Sequence, residues 1–318
     1  MPTRPSSLGP DRQPGNPLLA TEAVRDAAVA ELCARGLVGE EISVPYRTGW
    51  ERGKATTRRI HHRTRALVAQ QAALLESRPP RAGRVPVFGV ERAANTRPPV
   101  ALGLLFAAAE AHDDGALTAL YDFVPDWHVR PASVRRAVAD GPAVFLFSNY
   151  VWSQQGNLAI SAKVKELSPN SLVIHGGPNT PKFPGDREQY FADHPSVDVV
   201  VHGEGEATIC EVLEVVGGRL DGDLRALGDV AGITFRPRPG QAPVTTAERD
   251  RIADLDTLPS PYLTGVFDAW RNASIMVTIE SNRGCPYGCT FCDWGSATNS
   301  RIRKFDLQRV FDEITWAA

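Results

Sequence analysis

The chain has 318 residues, 42% of them hydrophobic, and a formal net charge of 35 − 37 = −2. That length accommodates about two domains, and the apolar fraction suffices for a sizeable core. Near-neutrality excludes a global basic field that would attract nucleic acid, and no run approaches the ~20 apolar residues of a membrane span.

Residues 1–16 are rich in Pro, Gly and Arg and read as a disordered tail rather than a secretory signal. With few cysteines and no signal, the expected compartment is the reducing cytoplasm. Residues 17–83 read as a helical extension, with Leu18, Leu19, Val24, Ala28, Leu32 and Leu37 at roughly helical spacing. A second helix is expected from about Thr56 to Glu76, its first half basic through Arg58, Arg59, Arg63 and Arg65, which reads as a solvated face. Ser77 to Gly83 breaks the pattern.

From residue 84 to 218 strands and helices alternate. Strands are expected at Val85–Val90, Ala119–Val124, Ala143–Ser148, Leu172–His175 and Val197–His202. Helices are expected at Pro98–His112, Pro131–Ala139, Leu158–Leu167 and Ala207–Val216. This order specifies a doubly wound α/β domain with a mostly parallel sheet. Such sheets bind ligands outside the carboxyl ends of their strands. The loops there are distinctive: Ser148-Asn149-Tyr150-Val151-Trp152, Gly176-Gly177-Pro178 and Gly203-Glu204-Gly205-Glu206. Together they suggest a crevice for a flat, extended ligand such as FMN, a dinucleotide or a corrin. The absence of G-x-G-x-x-G after the first strand counts against a dinucleotide.

Residues 219–270 read as a hairpin and linker. Ala231–Arg236 and Ala242–Thr246 flank Pro237-Arg-Pro-Gly240, and Asp254–Tyr262 is stiffened by prolines. A strand is expected at Ser274–Glu280, and a helix capped by Asp306 with Leu307, Val310, Phe311 and Ile314 on one face. Between them lies Cys285-Pro-Tyr-Gly-Cys289-Thr-Phe-Cys292, holding three of the five cysteines in a C-x3-C-x2-C pattern. Three thiolates are one short of a closed four-cysteine site. A [4Fe-4S] cluster held this way leaves one iron free to bind substrate. Structural zinc and a disulfide with one thiol left over are the alternatives. No histidine follows the motif, and the nearest one before it is His202.

Strand, cysteine loop and helix resemble the first βα unit of a radical S-adenosylmethionine (SAM) barrel. The upstream domain resembles the Rossmann-like cobalamin-binding domain of B12-dependent radical SAM enzymes, in its three loops and in Leu258-Pro-Ser-Pro261. The resemblance covers roughly residues 84–316. It implies that Cys285, Cys289 and Cys292 hold a [4Fe-4S] cluster and that Phe291 packs beside the SAM adenine. It implies that Ser148, Asn149, Tyr150, Trp152, Gly176, Gly177, Pro178, Gly203, Glu204, Gly205 and Glu206 contact cobalamin. The implied reaction is reductive SAM cleavage followed by methyl transfer from methylcobalamin to an unactivated carbon, with ring closure or rearrangement as the runner-up. The substrate would be a small molecule or peptide, and an external electron donor would be required.

Two departures from the family pattern stand out. Its Asp-x-His-x-x-Gly is missing after the first strand, where Glu91–Arg97 contains no histidine. Asp126-Trp-His128 reads as a surface loop, so a bound cobalamin would lack a histidine ligand. Residues 271–318 also supply only the start of a barrel. The chain therefore reads as an N-terminal fragment, a truncated frame, or half of a split enzyme completed by a separate chain. On that reading residues 270–318 are poorly stable, Leu307, Val310, Phe311, Ile314 and Trp316 lack most of their packing partners, and the chain alone is inactive. Two readings of other classes compete: a nonenzymatic zinc module whose basic helix docks a partner, and a flavodoxin-like carrier of FMN or corrin.

Overall fold

The computed structural model describes residues 83–91, 97–127, 129, 133–271, 276–287 and 301–318, together with 69 and 73. The tail, the expected N-terminal helices apart from residues 69 and 73, most of the 91–97 loop, His128, Cys289, Phe291 and Cys292 lie outside these.

Five apolar runs become parallel strands: β1 (Val85–Val90), β2 (Tyr121–Val124), β3 (Val144–Ser148), β4 (Leu172–Gly176) and β5 (Val199–Val201). Between them run α1 (Val100–Ala111), α2 (Leu117–Leu120), α3 (Val134–Ala137), α4 (Gln154–Leu167) and α5 (Pro184–Asp193); α6 (Glu206–Val216) follows β5. The hairpin β6 (Ile233–Phe235) and β7 (Val244–Thr245) adds antiparallel to β5, giving the order β2-β1-β3-β4-β5-β6-β7. The hairpin is thus an edge of the sheet rather than part of a detached connector.

Strand alternation divides the core into two layers. Val144, Leu146, Leu172 and Ile174 join Leu102, Phe106, Ile209 and Leu213 of α1 and α6 on one face. Phe145, Phe147 and Val173 join Val134 of α3 and Ile160 and Val164 of α4 on the other. All of β3 is buried, as expected of a central strand covered on both faces.

The segment after the sheet packs against it. Leu255 and Leu258 are buried with Phe305, while Tyr262, Phe267 and Trp270 join the α1/α6 layer. Gly103 of α1 permits this, because a Cβ there would lie 2.1 Å from the Phe267 ring.

Residues 276–280 are not a strand, although their composition suggests one: they have no ladder partner among the described residues. Thr278 instead accepts a hydrogen bond from the Tyr262 hydroxyl at 2.6 Å through its carbonyl oxygen. The pairing begins later, where β8 (Asn282–Arg283) meets β9 (Arg303–Lys304) antiparallel. Helix α7 (Leu307–Ala317) is capped as expected, the Asp306 side chain accepting from the amides of Gln308 and Arg309. Its packed side differs from the expectation. Leu307, Phe311 and Ile314 are exposed, whereas Glu313 and Trp316 are buried. Trp316 has partners: its ring lies 4.9 Å from that of Tyr262 and beneath the Arg271 guanidinium.

Candidate functional site

The strand order reverses between β1 and β3, which opens a crevice at their carboxyl ends. The loop from β3 builds one wall. Tyr150 and Trp152 stack with centroids 4.8 Å apart and planes 4° from parallel, and Val151 and Trp152 are largely exposed. Ser153 holds the turn: its hydroxyl accepts from the Tyr150 amide at 2.9 Å and donates to the Ser148 carbonyl at 3.0 Å. Glu91 directly follows β1 at the same switch point and is buried. Burial raises its carboxyl above the ordinary range, with Arg97 opposing. Burial first, and then Glu91, raises the Tyr150 phenol.

Beneath this loop lies a buried polar group. Asn149, Asn157, Ser161 and His175 are all fully buried. His175 stacks on Phe147 at 4.6 Å, with one ring nitrogen 2.8 Å from the Asn149 amide nitrogen and the other 2.7 Å from the Ser161 hydroxyl. Asn149 also pins the β4 loop: its amide donates to the Gly176 carbonyl at 2.7 Å, and its carbonyl accepts from Asn179 at 3.1 Å. Gly177 makes this approach feasible. It sits at φ +98°, and a Cβ there would lie 2.8 Å from the Asn149 carbonyl oxygen.

The β5 loop is held differently. The Glu204 carboxylate takes two nitrogens of Arg303, at 2.6 and 3.0 Å, and the Ile252 amide at 2.8 Å. Burial alone would raise this carboxyl, but the Arg303 and Ile252 hydrogen bonds and the Arg283 charge outweigh it and lower its pKa. Arg283 reaches Glu206 at 2.6 Å and Glu280 at 3.0 Å. Burial works against the Arg283 charge, and those two carboxylates outweigh it, raising its pKa. Arg283 stands two positions before the half-buried Cys285, so a charged clamp ties the β5 loop to the start of the cysteine segment.

The arrangement suits the ligands implied by the sequence. A flat aromatic pair, Trp152 exposed and Tyr150 half-buried, beside β4 and β5 loops that offer Gly177 and Gly203 to solvent can receive the apolar face of a macrocycle. The thiolate-only donor set, of which Cys285 is described, suits an iron–sulfur cluster.

No family model matches the chain. It is 41% identical over 230 residues to the cobalamin-dependent radical SAM methyltransferase TokK of Streptomyces tokunonensis, a match covering 69% of this chain and 32% of the relative. Over that stretch the chain is a homologue of cobalamin-dependent radical SAM methyltransferases. It is likewise 39% identical over 231 residues to the 2-(S-pantetheinyl)-carbapenam-3-carboxylate methyltransferase of Streptantibioticus cattleyicolor, again covering 69% of this chain and 32% of the relative. The fold resembles that of the cobalamin-dependent SAM radical enzyme OxsB, with a TM-score of 0.52 at 19% identity, over 74% of this chain and 32% of that one. The chain thus spans about a third of the length of the relatives it matches.

Against this homology the predicted site residues divide into three groups. Tyr150, Trp152, Gly176, Gly177, Pro178, Gly203 and Gly205 are at least partly open to solvent. Ser148 and Asn149 are buried and act from behind the loop. The Glu204 and Glu206 carboxylates are engaged by arginines. Sequence reasoning missed Glu91, whose signal was a charge directly following an apolar strand, and it missed His175 and Asn157 behind Asn149. Among the described residues, no helix is long and apolar enough to cross a membrane.

Proposed function

We propose that this chain is part of a B12-dependent radical SAM methyltransferase. Residues 84–218 would form the cobalamin-receiving domain and 271–318 the start of the radical SAM domain. The observation that carries the proposal is the coincidence, in one chain, of a flavodoxin-order crevice with a partly exposed aromatic platform and a C-x3-C-x2-C motif whose approach, at Arg283, is clamped to one of its loops. The relatives named as methyltransferases favour methyl transfer over ring closure.

Cys285, Cys289 and Cys292 would hold the [4Fe-4S] cluster, with Phe291 beside the SAM adenine. Together the cluster, SAM and cobalamin would supply electron transfer, radical generation and a transferable methyl group. The chain's own residues supply placement. Tyr150 and Trp152 offer the apolar wall, and the glycines at 176–177, 203 and 205, with Pro178, allow close approach. Glu204 and Glu206 act through Arg303 and Arg283 to fix the β5 loop against the cysteine segment. The substrate would be a small molecule, and an external donor would supply electrons.

Anaerobic reconstitution of the chain with iron, sulfide and hydroxocobalamin tests this reading. About four irons and four sulfides per chain, lost in the Cys285→Ala/Cys289→Ala/Cys292→Ala variant, are expected together with bound cobalamin. Zinc alone, or no cobalamin, would contradict it.

A further inference from the structure

We propose that Asn149, Asn157, Ser161 and His175 form a closed, one-directional ring of hydrogen bonds that holds the Asn149–Trp152 loop in its receiving shape, with His175 a positioning residue locked as the neutral Nε2–H tautomer. The positioning role rests on the reading that this crevice receives cobalamin.

The direction of every bond follows from one fixed acceptor. The Ser148 carbonyl oxygen can only accept, so the Asn157 group 2.9 Å from it is the amide nitrogen Nδ2. The same nitrogen lies 2.8 Å from the Asn149 side chain, which must present Oδ1. Asn149 therefore turns its own Nδ2 toward His175 Nδ1, at 2.8 Å, and Nδ1 must be unprotonated. A neutral imidazole with a bare Nδ1 carries its proton on Nε2, which donates to Ser161 Oγ at 2.7 Å. The Ser161 hydroxyl donates onward to the Asn157 backbone carbonyl at 3.0 Å, and the ring closes on the residue where it began.

Either other state of His175 breaks the ring. An imidazolium, or the Nδ1–H tautomer, would point an N–H at the Asn149 amide donors. All four side chains are fully buried, so no solvent relieves that opposition. Burial, with a smaller contribution from His194, lowers the His175 pKa to about 3, in accord with the geometry. The ring spans β3, β4 and α4. It fixes the residue directly before Tyr150, whose backbone is already bonded to Gly176 and Asn179. Its consequence is that the aromatic wall and the Gly177-Pro178 loop are held as one surface.

The test combines nitrogen-15 NMR of the wild-type chain with hydroxocobalamin titrations of three variants. The His175 signal should show a bare Nδ1 and a protonated Nε2, unchanged between about pH 8 and about pH 5 although an ordinary histidine titrates near 6.5. His175→Phe keeps the stack on Phe147 and removes both polar atoms; its Kd should rise on the order of tenfold or more. His175→Asn restores the acceptor for Asn149 and should recover part of that loss. Ser161→Ala should fall between the two. A proton on Nδ1, or titration near 6.5, would overturn the ring. A His175→Phe protein of lower Tm but wild-type Kd would overturn the positioning role. Failure of the wild-type chain to bind hydroxocobalamin would overturn the crevice reading and that role with it, while the NMR result still judges the ring.

Discussion

Two fastenings hold the crevice loops, and they are built from opposite chemistry. Behind β3 and β4, fully buried side chains form a neutral network whose members are close in space and mostly close along the chain. On the β5 loop, arginines on either side of the cysteine segment reach back 77 and 99 residues to Glu206 and Glu204. A neutral buried network fixes shape because each missing bond leaves a group unsatisfied. An ionic clamp joins distant segments, and its cost on disruption comes from the charge left behind. The first therefore suits shaping the crevice, and the second suits registering the cysteine segment against it.

Breaking the clamp should give the largest loss of stability. Glu206 is 6% exposed and Arg283 11% at their side chains, so Arg283→Met leaves a buried carboxylate unpaired. A loss of about 3–5 kcal/mol in chemical denaturation is expected. Adding Glu206→Leu should recover much of it, because no buried charge then lacks a partner; equal destabilisation in the double variant would show that packing, not charge, is at work. Gly177→Ala should cost less, about 1–3 kcal/mol, from strain at positive φ and contact with Asn149. A neutral result there would mean that the β3 and β4 loops are not held together as described.

The pH dependence reports on the buried neutral network through His175. Burial lowers His175 to about 3 and His202 to about 4 from an ordinary 6.5. Their pKa values fall on folding, so the stability they contribute is present above pH 6.5 and is lost as pH drops toward about 4 and then about 3. Glu91 acts with the opposite sign: its raised pKa favours the protonated carboxyl, and its contribution is lost as pH rises above 4.5. Unfolding free energy measured against pH should therefore show an acid limb that His175→Asn shortens at its lower end. An unchanged limb would contradict the buried neutral assignment. The smallest stability effect is expected at Trp152, which is 58% exposed. Trp152→Ala should leave the denaturation midpoint nearly unchanged yet weaken hydroxocobalamin binding.

Much of the sheet was legible because β1, β3, β4 and β5 are short, continuous apolar runs bounded by glycine and polar residues. Helix α5 was not, because Pro-Gly-Asp-Arg-Glu-Gln-Tyr-Phe-Ala-Asp carries no apolar stripe and buries only Tyr190 and Phe191. Before β2, Leu117–Leu120 forms a helical turn although the residues run on smoothly into the strand. Periodicity does not separate the two states over so few residues. The β6–β7 hairpin was recognised, but its pairing with β5 depends on a non-local edge that no local signal reports. The loops of the site were legible from their glycines. The roles of Glu204 and Glu206 were not, because their partners lie far away in the chain. The ring around His175 was hidden by one link, since Asn149 and His175 meet only through the register of β3 and β4.

The central claim is that the loops at the carboxyl ends of β3, β4 and β5 form a corrin-receiving surface. Equilibrium titration of the wild-type chain with hydroxocobalamin, followed by visible absorption and tryptophan fluorescence, tests it most directly. A single saturable site that weakens in Trp152→Ala is predicted. The absence of saturable binding, or binding indifferent to Trp152, would contradict it.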